Sequence, residues 1–166
     1  IRYGLQKDPG WFRTSGKEFG EVESWLTYGI MFRNYPLQQA VKHLPKTLEL
    51  LKTSIPYINA AGFSRLMPRA NIPEHTDDTG IIFGSLGYHL GLQVPMAENC
   101  CGFTVGGDTR YEKDGHDLIF DATNVHSAYN NSDEERTILY IDFKSGKQLD
   151  PELLRHLKDK NIIVSK

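Results

Sequence analysis

Residues 101–143 read CGFTVGGDTRYEKDGHDLIFDATNVHSAYNNSDEERTILYIDF. Short runs rich in β-branched and aromatic residues alternate here with turn residues, which is the pattern of antiparallel strands rather than of helices. The strand candidates are 101–105, 109–112, 117–121, 125–129 and 136–143. Gly106-Gly107-Asp108 marks one turn, and Asp114-Gly115 reads as a tight hairpin between two of the strands. In RTILYIDF, Arg136, Ile138, Tyr140 and Asp142 share one face, and Thr137, Leu139, Ile141 and Phe143 share the other. Both faces are largely apolar, so this is expected to be a central strand.

Working outward, the same texture begins near Ala60, with candidates at 61–67 (AGFSRLM), 70–74, 81–84 and 87–94 (GYHLGLQV). So many short strands in one small domain predict a mainly β fold, a double-stranded β-helix of the jelly-roll or cupin type, with a few flanking α-helices. Residues 21–32 (EVESWLTYGIMF) read as extended. Pro36 opens a helical stretch that Pro45 breaks, which predicts a short helical turn and then a helix over 46–53, with Leu50, Leu51 and Ile55 as its apolar positions. Asp150 is placed to cap a C-terminal helix over 151–158. The expected organisation is a single domain over 1–166. Residues 1–56 form an N-terminal strand and helix segment, 57–146 the jelly-roll core, and 147–166 a helix and tail.

A chain of 166 residues can bury a real core, and 39% hydrophobic with 24% charged residues is ordinary globular composition. The net charge of -2 gives no basic excess, so no nucleic-acid partner is expected. No apolar run reaches the roughly 18–20 residues of a membrane span. Cys100 and Cys101 are adjacent. A disulfide between neighbours is strained, so two reduced thiols are expected, which favours a cytoplasmic setting. The chain opens on Ile1 rather than Met, which leaves its natural N-terminus and any targeting segment open.

Chemistry concentrates in His75-Thr76-Asp77, answered by His126 and then Arg136. On extended chain, residues i and i+2 point to one side, so His75 and Asp77 can converge on one ion. Asp78, at i+3, would face away. Two imidazoles and a carboxylate form a facial triad suited to Fe(II), although the same set accepts Zn. Arg136 offers a bidentate grip on the carboxylate of an organic-acid cosubstrate. A local ion pair with Asp133, Glu134 or Glu135 is the simpler reading of that arginine. His89 lies on the polar face of GYHLGLQV, and Ser64 in FSRLM can direct a hydroxyl into the barrel. Asn130-Asn131-Ser132 fits a glycosylation sequon but reads better as a turn. His43, His116 and His156 have no partners by spacing.

The ordered set Phe63-Ser64, then 73–77 (PEHTD), 89–95 (HLGLQVP), Phe120-Asp121, 126–132 (HSAYNNS), Arg136 and 140–143 (YIDF) resembles the aspartyl/asparaginyl β-hydroxylase family. The resemblance runs from about Trp25 to Phe143. It implies Fe(II), with 2-oxoglutarate and O₂ as cosubstrates, and hydroxylation of an unactivated carbon, such as the β-carbon of Asp or Asn in a peptide or a related amino acid. It makes His75 and His126 metal ligands, and it gives Ser64, His89 and Arg136 the cosubstrate carboxylates. Animal members have Gly where this chain has Asp77. They also carry a substrate-binding Arg where it has Gly87. Trp25, Tyr28 and Arg33 are candidates for shaping the substrate pocket. A non-catalytic β-barrel scaffold and a Zn-dependent hydrolase are the competing readings. The hydrolase would need a general base near the metal, and Glu74 is its nearest candidate.

Overall fold

The computed structural model describes residues 11–16, 20–77 and 85–144. In chain order these form β1 (Trp11–Gly16), β2 (Gly20–Phe32), β3 (Tyr35–Pro36), α1 (Gln38–His43), α2 (Pro45–Ser54), β4 (Ile58–Leu66), β5 (Ala70–His75), β6 (Ser85–Gln93), β7 (Cys101–Val105), β8 (Asp108–Tyr111), β9 (Asp117–Asp121), β10 (His126–Asn130) and β11 (Arg136–Lys144). The expected strand at 81–84, Asp78 and the C-terminal helix over 151–158 lie outside the described residues.

The strands pair antiparallel in two sheets. One runs β1-β2-β4-β11-β6-β9, with β3 added to β2, and the other runs β5-β10-β7-β8. This is the jelly-roll architecture that the strand pattern anticipates. β11 lies between β4 and β6, as its two apolar faces require. Leu26, Leu66 and Phe120 from the larger sheet meet Ile72, Phe103 and Ala128 from the smaller in one core. A second core lies under the helices, where Ala40, Leu48 and Leu51 pack on Ile30 and Ile58. Each such large aliphatic contributes roughly 1.5–3 kcal/mol on burial.

Helix α2 starts at Pro45, whose missing N–H costs nothing in a first turn. Its buried face is Leu48 and Leu51, while Leu50 is 63% exposed, because the i, i+3 spacing selects one stripe.

The turn chemistry separates local from long-range signals. Gly106 and Gly107 (φ +55° and +88°) close the β7–β8 hairpin with two left-handed residues, as its Gly-Gly sequence anticipates. Asp114-Gly115, expected to be a tight hairpin, is instead a crossover, since β8 and β9 belong to different sheets. Asp114 Oδ1 accepts from the Val94 N–H at 2.5 Å, and the Gly115 N–H donates to the Gly91 carbonyl at 2.9 Å. The left-handed Gly115 (φ +71°) is therefore used to dock the crossover on the end of β6.

Asn130, at the end of β10, is fully buried. Its Nδ2 donates to the carbonyls of Leu66 (3.2 Å), Met67 (3.1 Å) and Glu134 (2.8 Å), and its Oδ1 accepts from the Ser132 N–H (3.1 Å) and hydroxyl (2.6 Å). It ties the two sheets together and is inaccessible for glycosylation. Asn130→Ala strands several buried groups, so it should lower unfolding free energy by about 3 kcal/mol, read by denaturant titration. A loss below about 1 kcal/mol would show that water replaces these bonds.

Candidate metal centre

β5 and β10 are neighbours in the smaller sheet, and their register sets His75 opposite His126 with ring centroids 4.3 Å apart. Asp77 follows two residues beyond His75, and its N–H donates to the Ala122 carbonyl at 3.1 Å. His75 Nε2 lies 3.8 Å from Asp77 Oδ1, and His126 Nε2 lies 3.6 Å from Asp77 Oδ2. One ligand atom from each residue falls within 4.8 Å of the others.

The donor set fits a divalent metal. His75 Nδ1 is 2.7 Å from the Pro73 carbonyl, and His126 Nδ1 is 2.9 Å from the Asn124 carbonyl. A carbonyl only accepts, so each Nδ1 must carry the proton, which leaves each Nε2 with its lone pair turned toward Asp77. Two atoms bound at about 2.1 Å to one ion are at most about 4.2 Å apart, so separations of 3.6 and 3.8 Å are compatible with a shared centre. Burial pushes the His126 pKa down, as does His75, against the upward pull of the Asn124 carbonyl and Asp77. The balance favours the neutral ring that metal binding needs. Tyr140 donates to Asp77 Oδ2 at 3.4 Å, and burial followed by the Asp77 charge holds its pKa well above the phenol range, so it stays a donor.

These residues open on a cavity of about 880 Å³ between the sheets, also lined by Ser64, His89 and Arg136. Trp25 lines it too, and its Nε1 donates to Ser64 Oγ at 3.0 Å, leaving the Ser64 hydroxyl hydrogen free to point elsewhere. His89 is packed by the rings of Phe103 (4.5 Å) and Phe120 (4.9 Å), and burial pushes its pKa down. Tyr28 and Arg33 do not line this cavity. Tyr28 reaches the Gln39 carbonyl at 3.4 Å, and Arg33 lies over the Phe32 ring, 5.4 Å from its centroid.

Arg136 is fully buried, and its ion partner is none of the nearby acids. Asp133 pairs with Arg69 at 2.8 Å, and Glu135 pairs with Arg65 at 3.4 Å. Arg136 instead donates through Nε and Nη2 to the two oxygens of Glu112, both at 2.5 Å, while its Nη1 is a buried donor with no hydrogen-bond partner. Burial alone would raise the Glu112 carboxyl, but Arg136, with help from His89, overrides it and brings the pKa down to about 2. Sequence reasoning missed Glu112, since nothing local links position 112 to 136. Tyr140 was legible, because alternation places it on the face of Arg136.

The comparison with known sequences settles the lineage. Residues 5–145 match the family described as Aspartyl/Asparaginyl beta-hydroxylase. The chain belongs to that family. Among curated members and relatives of the aspartyl/asparaginyl β-hydroxylases, it is 31% identical over 130 residues to the ornithine lipid ester-linked acyl 2-hydroxylase of Rhizobium tropici, covering 78% of this chain and 45% of that protein. It is 29% identical over 126 residues to aspartate beta-hydroxylase domain-containing protein 2 of Xenopus tropicalis, covering 71% and 32%. The chain thus spans less than half the length of these relatives. In fold it resembles a 2OG-Fe(II) oxygenase family oxidoreductase from Burkholderia pseudomallei, with a TM-score of 0.58 and 15% identity over 74% of this chain and 69% of that one. Position 87, where the resemblance led to the expectation of a substrate-binding Arg in animal members, is Gly in this chain. Here a Cβ on Gly87 would run into the Phe120 ring, its cross-strand partner.

Proposed function

We propose that this chain is an Fe(II)- and 2-oxoglutarate-dependent dioxygenase that hydroxylates an unactivated carbon. The observation that carries the reading is one cavity lined by three side chains whose donor atoms converge closely enough to hold one metal ion, and by a buried arginine with an unpartnered Nη1. His75, Asp77 and His126 would hold the iron, which with O₂ and the oxo acid supplies oxidative chemistry that no side chain can. Arg136 Nη1 and the Ser64 hydroxyl would grip the carboxylate of 2-oxoglutarate, with His89 beside them. Tyr140 steadies Asp77, and the Phe103 and Phe120 rings, with centroids 4.5 Å apart, give the cavity an apolar wall. A Zn hydrolase fits less well. Its candidate base, Glu74, is exposed and, on extended chain, faces away from its neighbour His75. The test is the visible charge-transfer band of 2-oxoglutarate on anaerobic Fe(II)-loaded protein, with succinate release in air. No band and no succinate would remove this reading.

The substrate divides into two classes. An Asp or Asn β-carbon follows the family name, but among the described lining residues Arg136 is the sole Lys or Arg side chain. An aliphatic chain such as an acyl group has more to support it. Phe12 and Phe32 line the cavity while 52% and 53% exposed, which marks its mouth, and Met31, Leu37, Ala60 and Gly62 continue inward. A relative is named as an acyl 2-hydroxylase. Ala60→Phe should therefore cut turnover of a long-chain acyl substrate about tenfold or more while leaving 2-oxoglutarate binding unchanged, since one aromatic ring fills space the chain needs. Turnover of an Asp-containing peptide with none of an acyl compound would decide for the first class.

A further inference from the structure

The Arg136–Glu112 pair has a consequence for the cosubstrate, given the 2-oxoglutarate reading on which it rests. Glu112 follows β8 in the smaller sheet, and Arg136 opens β11 in the larger, so the pair crosses between sheets. Glu112 is not among the residues that line the cavity, whereas Arg136 is. The carboxylate therefore stands behind the guanidinium. It takes the Nε and Nη2 donors and leaves Nη1 without a hydrogen-bond partner, on a residue that lines the cavity. Its pKa of about 2 keeps it charged at any working pH.

We propose that Glu112 sets the affinity for the cosubstrate by neutralising Arg136 in advance. A carboxylate entering the cavity meets a guanidinium whose charge is already shared, and it feels repulsion from the Glu112 carboxylate behind. In a buried site this repulsion is only partly screened. The pair thus trades binding strength for a buried arginine that is stable without ligand. Glu112 also approaches His89 Nδ1 at 3.5 Å, a long contact that places the same charge beside a second wall of the cavity.

Two readings of Glu112 give opposite signs. A residue that only holds Arg136 in place would, when altered, loosen cosubstrate binding. A residue that spends the arginine's charge would, when neutralised, tighten it. Calorimetric titration of 2-oxoglutarate into Mn(II)-loaded protein under argon separates them without turnover. E112Q keeps a hydrogen-bond acceptor and loses the charge. It should bind 2-oxoglutarate about 10- to 100-fold more tightly than wild type. Its unfolding temperature should be lower without ligand and rise more on adding it, because the ligand then supplies the missing counter-charge. Equal or weaker binding by folded E112Q overturns the proposal.

If E112Q does not fold, wild type decides. A site neutralised in advance should prefer 2-oxoglutarate by less than about tenfold over the analogue in which a methyl ketone replaces the distal carboxylate. A preference above about 100-fold marks an uncompensated guanidinium and overturns the proposal. Binding of neither oxo acid by wild type removes the cosubstrate reading itself, an outcome distinct from a wrong sign in E112Q.

Discussion

His126→Ala will lower Fe(II) affinity by more than about 100-fold, since even partners that merely orient metal ligands are worth about 10- to 100-fold. His126 is 4% exposed, oriented by the Asn124 carbonyl, and faces both Asp77 and His75, and among the described residues no further ligand joins this cluster to replace its lone pair. Titration with Fe(II) under argon reads the affinity, and succinate release reads the consequence. An affinity within tenfold of wild type would take His126 out of the centre. The pH dependence has a definite sign. Burial, the largest influence, holds the His126 pKa below the ordinary imidazole value. Between that value and the depressed one, the unfolded chain binds more protons than the folded one. Metal-free stability therefore rises with pH through the window and is lost as pH falls below about 6.5. Metal binding needs the neutral ring, so it persists into the same window and fails only below it.

Arg136→Met will weaken 2-oxoglutarate binding by more than about tenfold, because the Glu112 charge then faces the ligand uncompensated, and it will also destabilise the fold by about 3–5 kcal/mol, because it leaves the Glu112 carboxylate buried without its partner. These effects separate in the double variant R136M/E112M. Replacing both members of a buried ion pair with apolar groups of similar volume is often neutral or stabilising, so thermal stability should return to within about 1 kcal/mol of wild type. Cosubstrate affinity should return only in part and stay several-fold below wild type, because the Arg136 Nη1, the one unpartnered guanidinium donor among the described residues, is gone while the Glu112 repulsion is gone with it. The charge-transfer band and thermal unfolding, measured on the same two proteins, check both halves. A double variant that bound 2-oxoglutarate as tightly as wild type would place the cosubstrate carboxylate elsewhere.

Much of the fold was legible because its signals are local. Period-two alternation in RTILYIDF and GYHLGLQV marks β11 and β6, and the Gly-Gly turn supplies the left-handed dihedrals of the β7–β8 hairpin. The strand at Trp11–Gly16 was not legible, since WFRTSG lacks a clean alternation. Part of the candidate site was equally local. The spacing of His75 and Asp77 puts both on one side of an extended chain, and their closeness to each other is a property of that segment.

The rest depends on pairing between distant segments. Asp114-Gly115 has the composition of a hairpin but becomes a crossover, because its flanking strands find better partners in different sheets. Nothing near His126 fixes its place opposite His75. That follows from the register of β10 on β5, including the irregularity between His126 and Ala128. Arg136 passes over the acids at 133–135 and takes Glu112, since these acids flank the entry to the strand, whereas Glu112 sits buried beside the guanidinium. The sequence by itself determined most of the strands, where the chain can turn sharply, and which candidate ligands share one side of an extended segment, for these depend on the backbone preferences of adjacent residues. The tertiary structure alone decided which strands meet, and hence the place of His126 beside His75 and the partner of the buried arginine, for these depend on register and burial across many residues of intervening chain.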